Sequence, residues 1–212
     1  MQFRPILDDG ERESYRQLFL EHSGVTLPVE YCVGAKIMGG FNRAGTMVGG
    51  FLVAPGPAMR WPTLLPSASP FQQRVPLERM VELNGLWLSP SERRGREAAQ
   101  LWACVGETIY ATGASYVTYA TDVRKHGLMK LYRRISSGQI YEGPFLSKAI
   151  PIGAVFYLRP LRIQILRMVW ATGLLQAVLF RKPRDSSGKP ICRWHPLGWL
   201  KERMKRCVRP SN

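Results

Sequence analysis

Nine residues, Met80 to Leu88, read as a β-strand and run without a linker into Ser89-Pro90-Ser91-Glu92-Arg93-Arg94-Gly95. The next stretch, Arg96 to Gly113, reads as a helix, with Ala99, Leu101, Trp102, Val105 and Ile109 near helical period. A strand that turns through a Gly/Arg segment directly into a helix constrains a fold strongly. It places uncapped backbone N–H groups and the positive end of the helix dipole at the strand's C-terminal edge, where an anion binds. Ser89 or Ser91 can cap the helix, while Arg93, Arg94 and Arg96 add positive charge suited to a phosphate.

The flanking elements fit a mixed sheet. Phe3 to Ile6 reads as a short strand, and Asp8 or Asp9 can cap a helix running through Glu11 to about His22. Tyr31–Ile37 and Thr46–Val53 are β-rich runs around a Gly39–Gly45 turn, a hairpin pattern. Residues 54–73 hold five prolines and read as a long loop that covers a site. Tyr116–Ala120 reads as a strand, His126–Ile135 as a helix stopped by Ser136-Ser137-Gly138, Tyr141–Pro144 as a turn and Ala154–Leu158 as a last strand. The order β-α-β-β-β-α-β-α-β implies an α/β sheet with local parallel pairing.

Composition separates the end of the chain from the rest. Of a net charge of +15, residues from Arg159 onward carry thirteen basic and two acidic side chains, a net +11, leaving +4 for the rest. Such asymmetry points to a polyanionic partner. Residues 161–212 combine a broken apolar run with Trp194, Trp199 and a Lys/Arg face, as interfacial helices do. The longest uninterrupted apolar run, Met168–Leu175, is far short of the roughly 20 residues of a membrane span. Two units are expected: a domain over 1–160 and a basic amphipathic helical tail over 161–212. No apolar leader follows Met1, and four scattered cysteines give neither a metal motif nor a disulfide framework, which favours a cytoplasmic protein with reduced thiols and no metal site.

The strand–turn–helix resembles the acyl-donor motif of the GNAT acyltransferase superfamily. Arg94-Gly95-Arg96-Glu97-Ala98-Ala99 aligns with the family's Arg/Gln-x-x-Gly-x-Gly/Ala, and Leu131-Tyr132, followed by Gly138, with its second signature. Two departures stand out: Glu97 occupies the family's middle glycine, and Leu88 lies one residue farther from the Arg-Gly pair. Together with Tyr141-Glu142-Gly143-Pro144, they point to the branch of homoserine-lactone autoinducer synthases and N-acyl amino acid synthases. The resemblance implies a mostly antiparallel central sheet flanked by helices. It also implies an N-acyltransferase that takes a fatty acyl group from an acidic acyl carrier protein, through its phosphopantetheine arm, or from acyl-CoA. The acceptor that the resemblance implies is an amine of an amino acid or peptide side chain.

Acyl transfer from a thioester to an amine requires a base, a polariser for the carbonyl and a proton for the leaving sulfur. Glu82 and Asn84, two apart on the strand, share a face, and Glu82 is the candidate base. Backbone groups at Leu86, Trp87 and Leu88 would polarise the thioester, Tyr132 would serve the sulfur, and Arg93, Arg94, Gly95, Arg96, Ala98 and Ala99 would hold the donor. His126 is an alternative base, and a Cys104–His126–Asp122 set is an alternative nucleophilic arrangement. An anionic membrane surface is a further expected partner of residues 161–212. The tail's tryptophans and arginines also suit nucleic acid, but no nucleic-acid motif is present.

Overall fold

The computed structural model describes residues 1–66, 77–93, 96–148 and 150–159. A seven-stranded sheet runs in the order β1-β2-β3-β4-β5-β7-β6. Its strands are β1 (Gln2–Pro5), β2 (Lys36–Phe41), β3 (Met47–Pro55), β4 (Met80–Leu88), β5 (Tyr116–Asp122), β6 (Gly138–Pro144) and β7 (Ile152–Leu158). Every pairing is antiparallel except β4 with β5. The mostly antiparallel sheet expected from the resemblance is therefore present, and its parallel pairing is confined to one seam.

Helices cover both faces. On one lie α4 (Arg96–Ala111) and α5 (His126–Ile135), whose Leu101, Val105, Ile109 and Met129 pack on Phe51, Val53, Val81, Val117 and Phe156 of the sheet. On the other lie α1 (Asp9–Ser23) and α2 (Val29–Val33), with Tyr15, Phe19, Tyr31 and Cys32 against Ile37, Leu52 and Trp87. A short turn of helix, α3 (Trp61–Leu64), buries Trp61 completely among Met59, Met80, Phe145 and Val155.

Local chemistry accounts for the ends of α1. The Asp8 side chain accepts from the Glu11 N–H at 3.0 Å, and Gly24 adopts φ 72° while donating to Leu20 O at 2.8 Å. The tight end of the β2–β3 hairpin is shorter than the Gly39–Gly45 turn expected from sequence. Asn42 Oδ1 accepts from both Ala44 and Thr46 N–H, and Gly39 and Gly40 belong to β2. Their lack of a Cβ is a packing requirement: one on Gly39 would meet Ile6 at 2.9 Å, and one on Gly40 would meet Phe3 at 2.7 Å.

Three further readings are corrected. Tyr31 lies in α2, because the run after Pro28 forms a helical turn before β2 begins at Lys36. Tyr141–Pro144 is part of strand β6, an edge strand whose glycines and exposure mask its pattern. The proline-rich stretch from Ala54 contains the end of β3 and helix α3; its residues 67–73 lie outside the described residues, as does the expected tail 161–212. No helix among the described residues is long and apolar enough to cross a membrane.

Candidate active site in the seam between β4 and β5

The parallel seam is short. β4 and β5 pair only at Met80–Glu82 with Tyr116–Thr118. Beyond that, β4 follows β3 and β5 follows β7, so the strands part and leave a wedge. Along the wedge, β4 also breaks register with β3. Asn84 pairs with Leu52 and Trp87 with Gly50, which leaves Gly85 and Leu86 as a bulge without a Cα partner. Gly85 takes φ 61°, a conformation that favours glycine. An isolated glycine inside a strand pattern is the sequence signal for such a bulge.

The bulge reverses the alternation of side chains. Val81, Leu83, Leu86 and Leu88 face the α4/α5 side, while Met80, Glu82 and Trp87 belong to the opposite face. Trp87, expected at the donor site, turns its ring toward α1, stacking on His22 at 4.8 Å.

Glu82 is completely buried. Its Oε2 accepts from the N–H of Arg60 at 2.5 Å and of Trp61 at 3.3 Å, and its Oε1 from Asn84 Nδ2 at 3.0 Å. Loss of solvent raises the pKa of this carboxyl, and these donors pull against the rise. The buried Tyr31 hydroxyl lies beside the Glu82 carboxyl and Asn84 without a hydrogen bond of standard geometry. Asn84 Oδ1 in turn accepts from Gly85 N–H at 2.7 Å. The shared face expected for Glu82 and Asn84 is thus a direct contact. Tyr31 and the Arg60–Trp61 turn are partners that come from distant sequence.

Two hollows meet at the wedge. A nearly all-apolar cavity of about 150 Å³ lies under α4 and α5, lined by Leu83, Trp102, Val105, Ile109, Leu131 and Tyr132, among others. A smaller one of about 100 Å³ carries polar groups from Ser23, Asn84, Thr121, Asp122 and Lys125. Leu83 and Tyr132 line both. Tyr132 is half-buried, 4.4 Å from the Tyr119 ring centroid, and burial pushes its phenol up to about 12. Asp122 is held by Arg124, whose hydrogen bonds keep its carboxyl below the ordinary range. Lys125 lines the smaller hollow beside Asp122, and its positive charge helps hold that carboxyl low.

The donor-side residues are placed unevenly. Arg93 turns back along the chain and donates from Nε to Leu88 O at 2.9 Å. Arg96 opens α4 on the surface, and Ala98 packs on the core beside Leu101. Ala99 follows in the first turn, half-buried, while Arg94 and Gly95 lie outside the described residues. The alternative nucleophile does not assemble: Cys104 neighbours Thr108, Lys36 and Glu107, burial raises its thiol, and Asp122 is engaged by Arg124. Among the described residues no group of His, Cys, Asp and Glu could hold a metal ion.

Around this seam the chain has a fold that is also found in solved acyltransferase structures, one of them described as of the GNAT family. Solved structures that share it include the N-acyl amino acid synthase FeeM from uncultured soil microbes, 16% identical, covering 84% of this chain and 97% of that one, with a TM-score of 0.55. MesI, a CoA-dependent acyl-homoserine lactone synthase, is 13% identical over 80% of this chain and 95% of its own, at 0.52. A GCN5-related N-acetyltransferase from Brucella melitensis is 12% identical over 89% and 86%, at 0.54. No protein-family model and no curated protein matches the sequence.

Proposed function

We propose that this protein is an N-acyltransferase that moves a fatty acyl group from a thioester, on an acyl carrier protein or on CoA, to the amine of an amino acid or peptide. The observation that carries this reading is the pair of hollows at the wedge, one apolar and one polar, which share Leu83 and Tyr132. An acyl chain suits the first and a charged acceptor the second, so their common wall is where the two substrates would react.

In this reading the acceptor nitrogen attacks the thioester carbon, the C–S bond breaks, and the carbonyl oxygen carries negative charge in between. Amide N–H groups around Leu86 face that charge. The Tyr132 phenol, kept protonated by burial, gives its proton to the departing sulfur. Glu82 takes the proton lost by the amine. Its raised pKa moves it toward the working range of a base, and it reaches the polar hollow through a water beside Asn84, since Asn84 lines that hollow and Glu82 does not.

Charge supports an acidic carrier as donor. Lys130, Arg133 and Arg134 lie along α5 and Arg96 opens α4, both elements of the apolar hollow. Arg94 and Gly95 would complete the donor site, and the basic tail would add attraction to the carrier or to an anionic membrane.

Mass spectrometry of lipid extracts tests the function. Cells expressing the wild-type chain are expected to contain a new acylated amine, and cells expressing Glu82→Gln to lack it. Absence of such a product in wild-type cells, with no turnover of acyl-CoA or acyl carrier protein by the purified protein, would refute it.

A further inference from the structure

Helix α1 holds the bulge of β4 through a hydroxyl. The Tyr15 hydroxyl donates to the carbonyl oxygen of Gly85 at 2.5 Å, across 70 positions of sequence. Tyr15 is fully buried, so water cannot replace it in this contact. The fit is close: a Cβ on Gly85 would sit 2.5 Å from Tyr15 Oη and 3.2 Å from a Leu52 methyl.

The Gly85 carbonyl and the Leu86 N–H are the two ends of one trans peptide, and in a planar trans peptide they point in opposite directions. A hydroxyl that fixes the carbonyl toward α1 therefore fixes the N–H away from α1. Leu86 lies in the bulge, has no partner in the register of β3, stands beyond the last rung shared with β5, and lines the polar hollow. Within a peptide, a hydrogen bond accepted by the carbonyl also strengthens the N–H as a donor.

We infer that Tyr15 is a positioning residue: by gripping the Gly85 carbonyl it aims and polarises the Leu86 N–H at the thioester carbonyl. This rests on the acyl-transfer reading above and adds to it a residue that lines neither hollow. Tyr15 touches no substrate. It acts through the peptide between Gly85 and Leu86, and it holds rigid a bulge that strand pairing leaves unsupported.

Infrared difference spectroscopy tests this on the full-length protein. The probe is a decanoyl thioester with a carbon-13 carbonyl, carried on CoA or on an acyl carrier protein, whichever the wild type turns over. In the wild type, the bound carbonyl should absorb at lower frequency than the free thioester. In Tyr15→Phe, it should move back toward the free value. In the same variant kcat should fall about tenfold while the KM of the thioester changes by less than about twofold, as for an interaction made in the transition state. A protein with 3-fluorotyrosine at position 15 keeps the hydroxyl and makes it a stronger donor, so its bound carbonyl should shift further down. That variant reports even where the Phe variant folds poorly. An unchanged carbonyl frequency in both variants overturns the inference and leaves acyl transfer standing. A wild type that neither binds nor consumes a thioester removes both.

Discussion

Glu82 and Thr118 face each other across the last paired rung of β4 and β5, and both hold Trp61. The Trp61 backbone N–H donates to Glu82 Oε2 and its indole Nε1 to Thr118 Oγ1, at 3.3 Å and 2.9 Å. Thr118 Oγ1 also lies 3.2 Å from the carbonyl of Val81. One buried tryptophan from a distant turn thus pins the point at which the strands begin to separate.

Thr118→Val removes the indole's acceptor at a buried site while keeping the side chain's shape. The expected cost is about 1–3 kcal/mol in denaturant unfolding. Thioester kinetics should change far less than stability does, because Thr118 lines neither hollow.

Glu82→Gln should lower transfer to the amine by about a hundredfold, the scale of a lost general base. Its effect on stability depends on pH with a definite sign. Burial raises the folded-state pKa of Glu82 above the ordinary carboxylate value, so between the two values the folded protein binds more protons than the unfolded one. Stability of the wild type relative to Glu82→Gln should therefore fall as pH rises from the ordinary carboxylate pKa through the folded-state value, and level off above it. Urea melts of both proteins at a series of pH values check this; a difference that grows in the opposite direction would exclude a raised pKa.

Tyr132→Phe removes the proton donor to the leaving sulfur without emptying the space its ring fills between Tyr119 and Phe156. Steady-state assays should show kcat down at least tenfold with the KM of the thioester little altered. Since the phenol titrates at about 12, the wild-type pH–rate profile should show no ionisation of Tyr132 across the neutral range.

Val105→Phe adds volume to the wall of the apolar cavity of about 150 Å³. Competition between acyl thioesters of different length should shift toward shorter chains. Overpacking should cost about 1–3 kcal/mol of stability. An unaltered length preference would place the acyl chain elsewhere.

Lys125→Met removes the ammonium offered to the polar hollow. For acceptors that bear a carboxylate, KM should rise about tenfold, the scale of a lost charge-assisted hydrogen bond. The corresponding amides, and the thioester, should be bound as before.

Long periodic segments were legible in the sequence. β4, α4 and α5 lie where the alternation and helical spacing put them, and Glu82 and Asn84 share a face as a period of two demands. α2 was not, because Val29-Glu30-Tyr31-Cys32-Val33 has strand-like composition and is helical through its setting after Pro28. β6 was hidden by Gly138, Gly143 and Pro144, which signal turns in isolation but are tolerated on an edge strand. Within the site, spacing carried the reading only as far as the bulge. Past Gly85 the alternation changes phase, so Trp87 turns to α1, and the glycine inside the strand pattern is the local sign of that shift. Tyr15, Tyr31 and Trp61 reach β4 from elsewhere in the chain, and local spacing is blind to contacts of that range.

The short parallel seam also bears on how the chain assembles. β1 to β4 are neighbours in sequence order, and β5, β7 and β6 form a second antiparallel group of contiguous chain. Each group closes through nearby pairings, whereas strand pairing between them is limited to three rungs, supplemented by side-chain packing such as that of Trp61. Pairing that closes long loops forms slowly. The two groups are thus expected to form early and to dock late, with the wedge as the last feature to appear and the first to yield in unfolding.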